Sequence, residues 1–401
     1  MKAGRKLRVA IAGCGTAGPA AAILLARQGH EVIVFERAPE CKAVGAGFLL
    51  QPSGMGVLAE LGILDEVLAH SARVERLHVL NHHGDTLLDL DYRELGGDRF
   101  GAGLHRPVLL HYLLRTMREA GVELRWDWEV AEATRQNSQW TLIRAGGGEC
   151  GKFDLLIVAD GARSKLRELA CPDGINRSYP WGAHWFIGRN DGVFPENELY
   201  QVVNGTRKMS GFLATGRDLE MGEPLVSLFW SVKITDDAAW RARPIQEWKS
   251  EILALCPRAR HLLDQISGWD QVLTARYGDV RMRRSHGEGI VVLGDAAHAM
   301  SPQLGQGVNL ALADASCLAD CISRLSLREA LARHERRRRL NLRYYQFATR
   351  WLTPWFQSDM EWLTPLRTVF FKATGSLRWA RKFMTLSMAG LVGAEPPPPP
   401  K

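Results

Sequence analysis

The chain has 401 residues, of which 46% are hydrophobic, and a formal net charge of +7. This size and composition allow a large buried core and two or three domains, and the modest charge is not in itself a sign of nucleic-acid binding. No apolar run reaches the roughly 18 residues of a transmembrane segment. Seven scattered cysteines without metal-ligand spacing are typical of reduced thiols, so we expect a cytoplasmic protein with no metal site.

The first predicted element is a βαβ unit near the N-terminus. Residues 9–12 are predicted to form a strand and residues 20–27 a helix, with a glycine-rich turn between them. In that turn Gly13 permits a tight bend, Gly15 lets the backbone approach a pyrophosphate, and Gly18 lets helix and strand pack closely. Glu36 ends the second strand and can accept hydrogen bonds from two ribose hydroxyls. The unit therefore predicts a dinucleotide site.

A further apolar strand, near residues 153–159, is followed by Asp160-Gly161 and by the basic start of a helix. Three further stretches, 178–187, 199–203 and 225–230, have the aromatic and β-branched texture of strands. A large sheet of this kind would cover a ligand and offer it an apolar pocket. The candidate pocket residues are Trp185, Tyr200, Phe212 and Trp230, although aromatic strand residues more often form core.

The last strand that bears on chemistry is 289–293, which stops at Gly294-Asp295. A carboxylate at the carboxyl end of a parallel strand lies in the crevice where open α/β sheets bind ligands. A turn-rich loop with Pro302 and Gly305 then precedes a long helix. Exposed amides at such a helix N-terminus can bond the electron-rich edge of an isoalloxazine ring.

Together and in this order, these segments resemble the class A flavoprotein monooxygenases, the single-component aromatic hydroxylases typified by para-hydroxybenzoate and salicylate hydroxylases. The resemblance covers most of residues 7 to 345. It implies FAD as cofactor and NADH or NADPH as a transient reductant, without distinguishing the two. It also implies that one atom of O2 is inserted into an aromatic or polyketide-like small molecule through a flavin C4a-hydroperoxide.

The resemblance also implies roles for particular residues. The ADP half of FAD would be held by Gly13, Gly15, Thr16, Ala17, Gly18, Glu36 and Arg37, with Val130 beside the adenine. Arg106 would contact the flavin chain, and Asp160 and Gly161 would serve both FAD and NAD(P)H. Asp295 would bind the ribityl hydroxyls, and the isoalloxazine loop would comprise Pro302, Gly305, Gln306, Gly307, Val308 and Asn309. No catalytic acid or base can be named.

The implied fold is α/β with an α+β substrate domain. A Rossmann-like FAD-binding domain of the para-hydroxybenzoate hydroxylase type would comprise residues 1–75, 101–178 and 276–330. A large mixed β-sheet substrate domain would comprise 76–100 and 179–275, followed by C-terminal helices at 331–393 and a disordered proline-rich tail at 394–401. The chain would act as a monomer or homodimer.

Other interpretations stay open from sequence alone. A flavin-dependent oxidase, epoxidase or saturase shares these motifs, and so does a non-catalytic protein that binds flavin or a small molecule. Halogenation is disfavoured because Trp126-Asp127-Trp128 matches only half of the halogenase motif. The basic run 333–339 is interpreted as a solvated helix face near a helix end. The aromatic residues at 347–383 predict a helical cap, with a membrane-surface or dimer contact as the alternative.

Overall fold

A computed structural model of the chain describes residues 6–40, 47–220 and 222–394. Cys41 and the proline-rich tail, residues 395–401, lie outside the described residues. None of the described helices is both long and apolar enough to cross a bilayer.

The described strands and helices follow in chain order. The strands are β1 Arg8–Ala12, β2 Glu31–Phe35, β3 Gly47–Leu50, β4 Ala72–Val74, β5 Arg76–Asn81, β6 Thr86–Asp91, β7 Gly101–His105, β8 Glu123–Arg125, β9 Val130–Gln136, β10 Gln139–Arg144, β11 Glu149–Phe153, β12 Leu155–Val158, β13 Ile175–Arg189, β14 Glu198–Asn204, β15 Lys208–Arg217, β16 Pro224–Lys233, β17 Leu273–Arg281, β18 His286–Gly287 and β19 Ile290–Val292. The α-helices are α1 Ala17–Arg27, α2 Pro52–Glu60, α3 Leu64–Ala69, α4 Arg106–Glu119, α5 Asp237–Arg241, α6 Ile245–Leu255, α7 Arg260–Asp264, α8 Asp295–His298, α9 Gly307–Arg324, α10 Leu327–Phe356, α11 Leu363–Ser376 and α12 Arg378–Met388.

A six-stranded sheet forms the centre of the molecule, in the order β18-β19-β12-β1-β2-β8. All of its pairings are parallel except that of β18 with β19. One face packs on α1, α4 and α9, and the other packs on the small sheet β9–β11. Coverage on both faces explains why β1, β2 and β12 are almost continuously apolar. Their carboxyl ends meet at one edge, which places the three predicted motifs side by side.

A second sheet of seven strands has the order β17-β13-β16-β15-β14-β5-β6. Its pairings are antiparallel except that of β14 with β5. We call its two surfaces the helix face, which α6 and α7 cover, and the inner face, which turns toward the first sheet. The small sheet β3-β7-β4 contacts the inner face closely, since a Cβ on Gly47 would lie 3.0 Å from the side chain of Ser227.

Three of the four residues predicted to line the pocket lie instead on the helix face. Tyr200, Phe212 and Trp230 are buried there in one apolar cluster with residues of α6 and α7, such as Trp248. Packing against these helices occupies their side chains and directs them away from the parallel sheet. His184 on β13 is paired with Trp230 and therefore shares its face. Trp185 is the next residue along β13, and because side chains alternate along a strand, it alone of the four lies on the inner face.

The C-terminal helices also differ from expectation. The basic run 333–339 does not lie at a helix end, since α10 extends for 30 residues from Leu327 to Phe356. The helix begins with a capping box in which Ser326 and Glu329 satisfy each other's backbone. Arg338 from the middle of the basic run is buried, so that the run is not wholly a solvated face.

Candidate active site

The glycine loop after β1 has the shape that a bound phosphate requires. Gly13 has φ +104°, and a Cβ at this position would overlap the carbonyl of Ala159. A Cβ on Gly18 would overlap the carbonyl oxygen of Gly13, so the loop and α1 are in close contact. A Cβ on Gly15, by contrast, would meet nothing within 4 Å. The open space above Gly15 is where a pyrophosphate would approach the backbone.

The carboxylate of Glu36 lies directly beside this loop. Its Oε2 accepts a hydrogen bond of 2.7 Å from the amide of Cys14, and its Oε1 accepts one of 3.0 Å from the amide of Ala38. Arg37 is exposed beside it. The amide of Trp128 donates to the carbonyl of Glu36 at 2.8 Å, which brings the start of β9 at Val130 to the same corner. Thr16 and Ala17 begin α1 beside the loop.

The turn after β12 holds two buried groups with unused hydrogen-bonding capacity. Burial raises the pKa of Asp160, and its Oδ1 has no hydrogen-bond partner among the residues that the structure describes. Arg167 is buried below it and donates from Nε to the carbonyl of Ser164 at 2.9 Å and from Nη2 to that of Gly161 at 3.2 Å. The Nη1 of Arg167 is likewise without a partner in the described part of the chain. A ligand with complementary polar groups would satisfy both of these buried atoms.

Asp295 follows β19 and is exposed at the first position of α8. A Cβ on Gly307 would lie 3.7 Å from Asp295 Oδ1, so this carboxylate lies beside the start of α9. Gly305 has φ +62°, a left-handed conformation that reverses the chain just before that helix. The structure therefore brings Gly15, Asp160 and Asp295 to one edge of the central sheet.

Two residues of the predicted isoalloxazine loop direct their side chains into the protein. Asn309 donates from Nδ2 to the carbonyl of Leu49 at 3.2 Å, and its Oδ1 accepts from the amide of Gln51 at 2.8 Å. Gln306 donates to the carbonyl of Met388 at 2.7 Å. The side-chain amide nitrogens of both residues are thus used within the protein, whereas Gln306 Oε1 has no hydrogen-bond partner among the described residues. The backbone of both residues is available to a flavin, together with that of Gly307 and Val308. Pro302 is exposed at the start of the loop.

Sequence reasoning missed a buried ionic network behind Asp295. The carboxylate of Asp314 on α9 accepts three hydrogen bonds. They come from Arg338 Nε at 2.7 Å, from His298 Nε2 at 2.5 Å and from the amide of Gly294 at 3.0 Å. Burial alone would raise the pKa of Asp314, but the charges of His298 and Arg338 outweigh burial and hold that pKa far below its ordinary value. The network fixes the Gly294-Asp295 turn. A carboxylate within an apolar helix segment was the available signal.

Three aromatic side chains meet on the inner face of the large sheet, and we call them the aromatic corner. The rings of Trp185 and Phe229 lie 5.4 Å apart. Trp185 Nε1 donates to the hydroxyl of Tyr277 at 3.4 Å, and burial raises the pKa of Tyr277 to about 12. The corner lies near the isoalloxazine loop. Val280, on the same strand as Tyr277, donates a hydrogen bond of 2.9 Å from its amide to the carbonyl of Ala299, which precedes that loop.

A cavity of about 480 Å³ opens beside the aromatic corner. Its lining residues are Trp185, Phe186, Ile187, Leu225 and Leu273 from the large sheet, together with Gln271, His105 and Asp218. The exposed Arg106 follows His105 at the start of α4. The cavity is within the size range, about 300–1,000 Å³, of small-molecule sites.

These features fit FAD. The space above Gly15, the orphaned atoms of Asp160 and Arg167 and the carboxylates of Glu36 and Asp295 are the donors, acceptors and clearances that its phosphates, riboses and ribityl chain require.

Comparison with known proteins agrees with the geometry. A family profile described as FAD binding domain matches residues 6–338. The probable 2-heptyl-3-hydroxy-4(1H)-quinolone synthase AqdB2 of Rhodococcus erythropolis is 31% identical over 342 residues, which cover 81% of this chain and 82% of that protein. The 3-amino-4-hydroxybenzoate 2-monooxygenase of Streptomyces cremeus is 28% identical over 335 residues, which cover 79% of each chain.

Solved structures share the fold. A variant of Klebsiella pneumoniae HpxO complexed with FAD matches with a TM-score of 0.80 at 20% identity, covering 95% of this chain and 99% of that one. The predicted α/β fold, the enzyme class and the cofactor FAD are confirmed. The chain belongs to the FAD-dependent, single-component class A flavoprotein monooxygenases.

Proposed function

We propose that this monooxygenase consumes NADH or NADPH and hydroxylates a planar aromatic or heteroaromatic ring that stacks in the aromatic corner. The observation that carries the proposal is that Trp185, Phe229 and Tyr277 meet on the inner face, where Trp185 lines the cavity and the strand of Tyr277 is hydrogen-bonded to the loop that follows Asp295. Flat apolar surfaces with one fixed hydroxyl select flat rings that carry a polar substituent.

Tyr277 contributes the hydroxyl group of the aromatic corner. Its raised pKa keeps the hydroxyl protonated at neutral pH, and its oxygen already accepts from Trp185. The hydroxyl hydrogen is therefore available to donate to an oxygen of the substrate ring. This would fix the orientation of the ring while the surrounding apolar side chains exclude water.

The cofactor supplies the redox chemistry: when bound, FAD accepts hydride from reduced nicotinamide and activates dioxygen. The residues of this chain bind and orient it. We assign the ADP half to Gly13, Gly15, Gly18 and Glu36 with their neighbours, and the ribityl chain to Asp295. The domain boundaries given above stay predictions.

The names of the relatives support a ring substrate with oxygen or nitrogen substituents. They include a probable alkylhydroxyquinolone synthase, an aminohydroxybenzoate monooxygenase and a 6-hydroxynicotinate 3-monooxygenase. We extend only this general chemistry to the present chain. The described cysteines Cys150, Cys171, Cys256, Cys317 and Cys321 are free thiols, which supports a reducing, cytoplasmic location. A monomer or a homodimer is compatible with this function.

The test of the function is product analysis. Purified protein is mixed with NADH or NADPH, oxygen and a panel of hydroxylated and aminated benzoates, pyridines and quinolones. We expect one compound to accelerate reduced-nicotinamide oxidation and to yield a product heavier by one oxygen, with label from ¹⁸O₂. Oxidation of a substrate without oxygen incorporation, with hydrogen peroxide formed, would instead indicate an oxidase, and reduction of a substrate double bond at the expense of NADH or NADPH would indicate a saturase. FAD binding with no turnover would indicate a non-catalytic protein.

Substitution of Asp295 tests the ribityl assignment. Asp295→Ala should weaken FAD binding by about tenfold to a hundredfold, because one hydrogen bond to a charged group is lost. The fold should persist, since this side chain is exposed. Flavin occupancy after purification and titration of the apoprotein measure the effect. Unchanged affinity in Asp295→Ala would reject the assignment.

A matched pair of tryptophan variants tests the pocket. Trp185 on β13 and Trp230 on β16 lie on adjacent strands, one position apart in the register, but on opposite faces of the sheet. Trp185→Phe should raise KM for the aromatic substrate about tenfold and divert reducing equivalents to hydrogen peroxide, because ring stacking and the Tyr277 contact are weakened. Trp230→Phe should leave KM and coupling unchanged and lower only thermal stability. Equal changes in KM for the two variants would place the pocket elsewhere.

A further inference from the structure

The outer surface of the C-terminal helices exposes an unusual number of large apolar side chains. Trp379 is 72% exposed, Val369 68% and Phe347 65%. We define the C-terminal face by its apolar members, which are Leu340, Phe347, Trp351, Trp362, Leu366, Val369, Trp379 and Phe383. Single exposed apolar residues are ordinary on a protein, whereas a group of this size marks an interaction surface.

Ring contacts join two members of this face to a neighbouring helix. On α10, Leu340, Phe347 and Trp351 are spaced by seven and four residues and so share one side of the helix. Phe383 on α12 lies 6.1 Å from the ring of Tyr344 on α10. Trp351 lies 5.3 Å from the ring of Phe370 on α11. All three helices therefore contribute to the surface.

The opposite sides of these helices are anchored in the protein. Phe356 and Phe371 are buried in one cluster with Val79 and Val203 of the large sheet, and Met388 is buried near Tyr92. Arg367 donates from Nη1 to the carbonyl of Gly205 at 2.8 Å. The exposed side chains thus belong to helices that the rest of the fold holds in place, and the face is a built surface.

The same helices carry the positive charge of the whole chain. Residues 327–394 contain thirteen Lys and Arg against four Asp and Glu. Residues 1–326, by contrast, contain 37 Lys and Arg and 39 Asp and Glu. All three helices also carry exposed cations among these apolar residues. They are Arg336, Arg339 and Arg343 on α10, Lys372 on α11, and Arg378 and Lys382 on α12. Arg343 is four residues from Phe347, so cation and ring lie on one side of the helix.

We propose that the C-terminal face docks the enzyme on an anionic lipid bilayer as a peripheral protein. Phe347, Trp379 and Phe383 would insert at the boundary between headgroups and acyl chains, where aromatic side chains partition favourably. The cations around them would contact lipid phosphates. A second copy of the chain is a poorer partner, because a two-fold contact through this face would bring its surplus of positive charge against itself.

Vesicle co-sedimentation tests the proposal with the full, FAD-loaded chain. The protein is mixed with vesicles of phosphatidylcholine alone or with about one third phosphatidylglycerol, at low and at physiological salt. We expect binding to the anionic vesicles that weakens as salt rises. The triple variant Phe347→Ser, Trp379→Ser, Phe383→Ser should bind about a hundredfold more weakly. The triple variant Arg336→Gln, Arg339→Gln, Arg343→Gln should lose a similar factor, about fivefold for each cation.

A matched control removes three exposed cations elsewhere, by Arg27→Gln, Arg118→Gln and Arg260→Gln, and should bind as the native chain does. NADH or NADPH oxidation in solution verifies that every variant is folded. The proposal is overturned if the native chain stays in the supernatant with anionic vesicles at low salt, or if the control weakens binding as much as the variants of the face. Concentration-dependent dimers that the apolar triple variant abolishes, without vesicle binding, would assign the face to a second copy.

Discussion

Replacing Gly15 by valine is expected to weaken FAD binding by a factor of at least about a hundred and to leave the apoprotein as stable as the native one. The backbone at Gly15 is not left-handed, and a Cβ there meets nothing within 4 Å, so the fold accommodates the side chain. The same atoms would occupy the space through which a pyrophosphate reaches the amides of the loop. Losing two hydrogen bonds to a charged phosphate costs about 3–6 kcal/mol, which corresponds to a factor of about a hundred to ten thousand in affinity.

Flavin titration of the apoprotein and thermal unfolding of apo and holo forms measure the two halves of this result. Gly375→Ala in α11 is the matched control, because a Cβ there also has open space. It should keep FAD affinity and gain up to about 1 kcal/mol of stability from its better helix propensity. If Gly15→Val retained native flavin affinity, the pyrophosphate would have to lie elsewhere.

Replacing Asp314 by asparagine is expected to lower the free energy of unfolding by about 3–5 kcal/mol. The substitution leaves the buried guanidinium of Arg338 without a counter-ion and weakens the bonds to His298 and the Gly294 amide. Since the Gly294-Asp295 turn depends on that amide bond, flavin affinity should fall as well. Chemical denaturation of the apoprotein, followed by flavin titration, would separate the two effects.

The pH dependence of unfolding adds an independent readout for Asp314. Its pKa is depressed in the folded protein, so its contribution is fully present above the unfolded value, about 3.9, and is lost as the pH falls below it. Asp314→Asn should therefore be less acid-sensitive than the native chain. The double variant Asp314→Leu, Arg338→Met should be more stable than Asp314→Asn, since no buried charge of that pair remains. Equal acid sensitivity of Asp314→Asn and the native chain would contradict this account.

The FAD-binding half of the molecule could be anticipated from sequence because its signals are local. The glycine loop, the carboxylate that ends β2 and the loop before α9 each combine a residue type with a strand or helix boundary. Parallel strands then bring their carboxyl ends to one edge, whatever the details of packing. Local patterns and fold topology together were sufficient to place Gly15, Glu36 and Asp295 near one another.

The pocket and the ionic network could not be anticipated in the same way. Both faces of the large sheet are covered, so alternation along β13 to β16 marks two buried sides and does not say which one meets the flavin. Trp185 and Trp230 look alike in sequence for this reason. Asp314 and Arg338 are 24 residues apart on successive helices, and only their packing shows that one cation of a basic run is buried.

The order of strands in the central sheet also bears on how the enzyme is made. The strand β12 pairs with β19, whose residues Ile290–Val292 are translated long after β1 and β2. At about 5–20 residues per second, a ribosome needs on the order of ten to thirty seconds to translate the residues that separate β12 from β19. Until then the edge of β12 is unpaired and the flavin crevice lacks Asp295, so nascent chains pass through a stage that is open to chaperones and to aggregation. The flavin crevice is complete only once β19 and Asp295 have been translated.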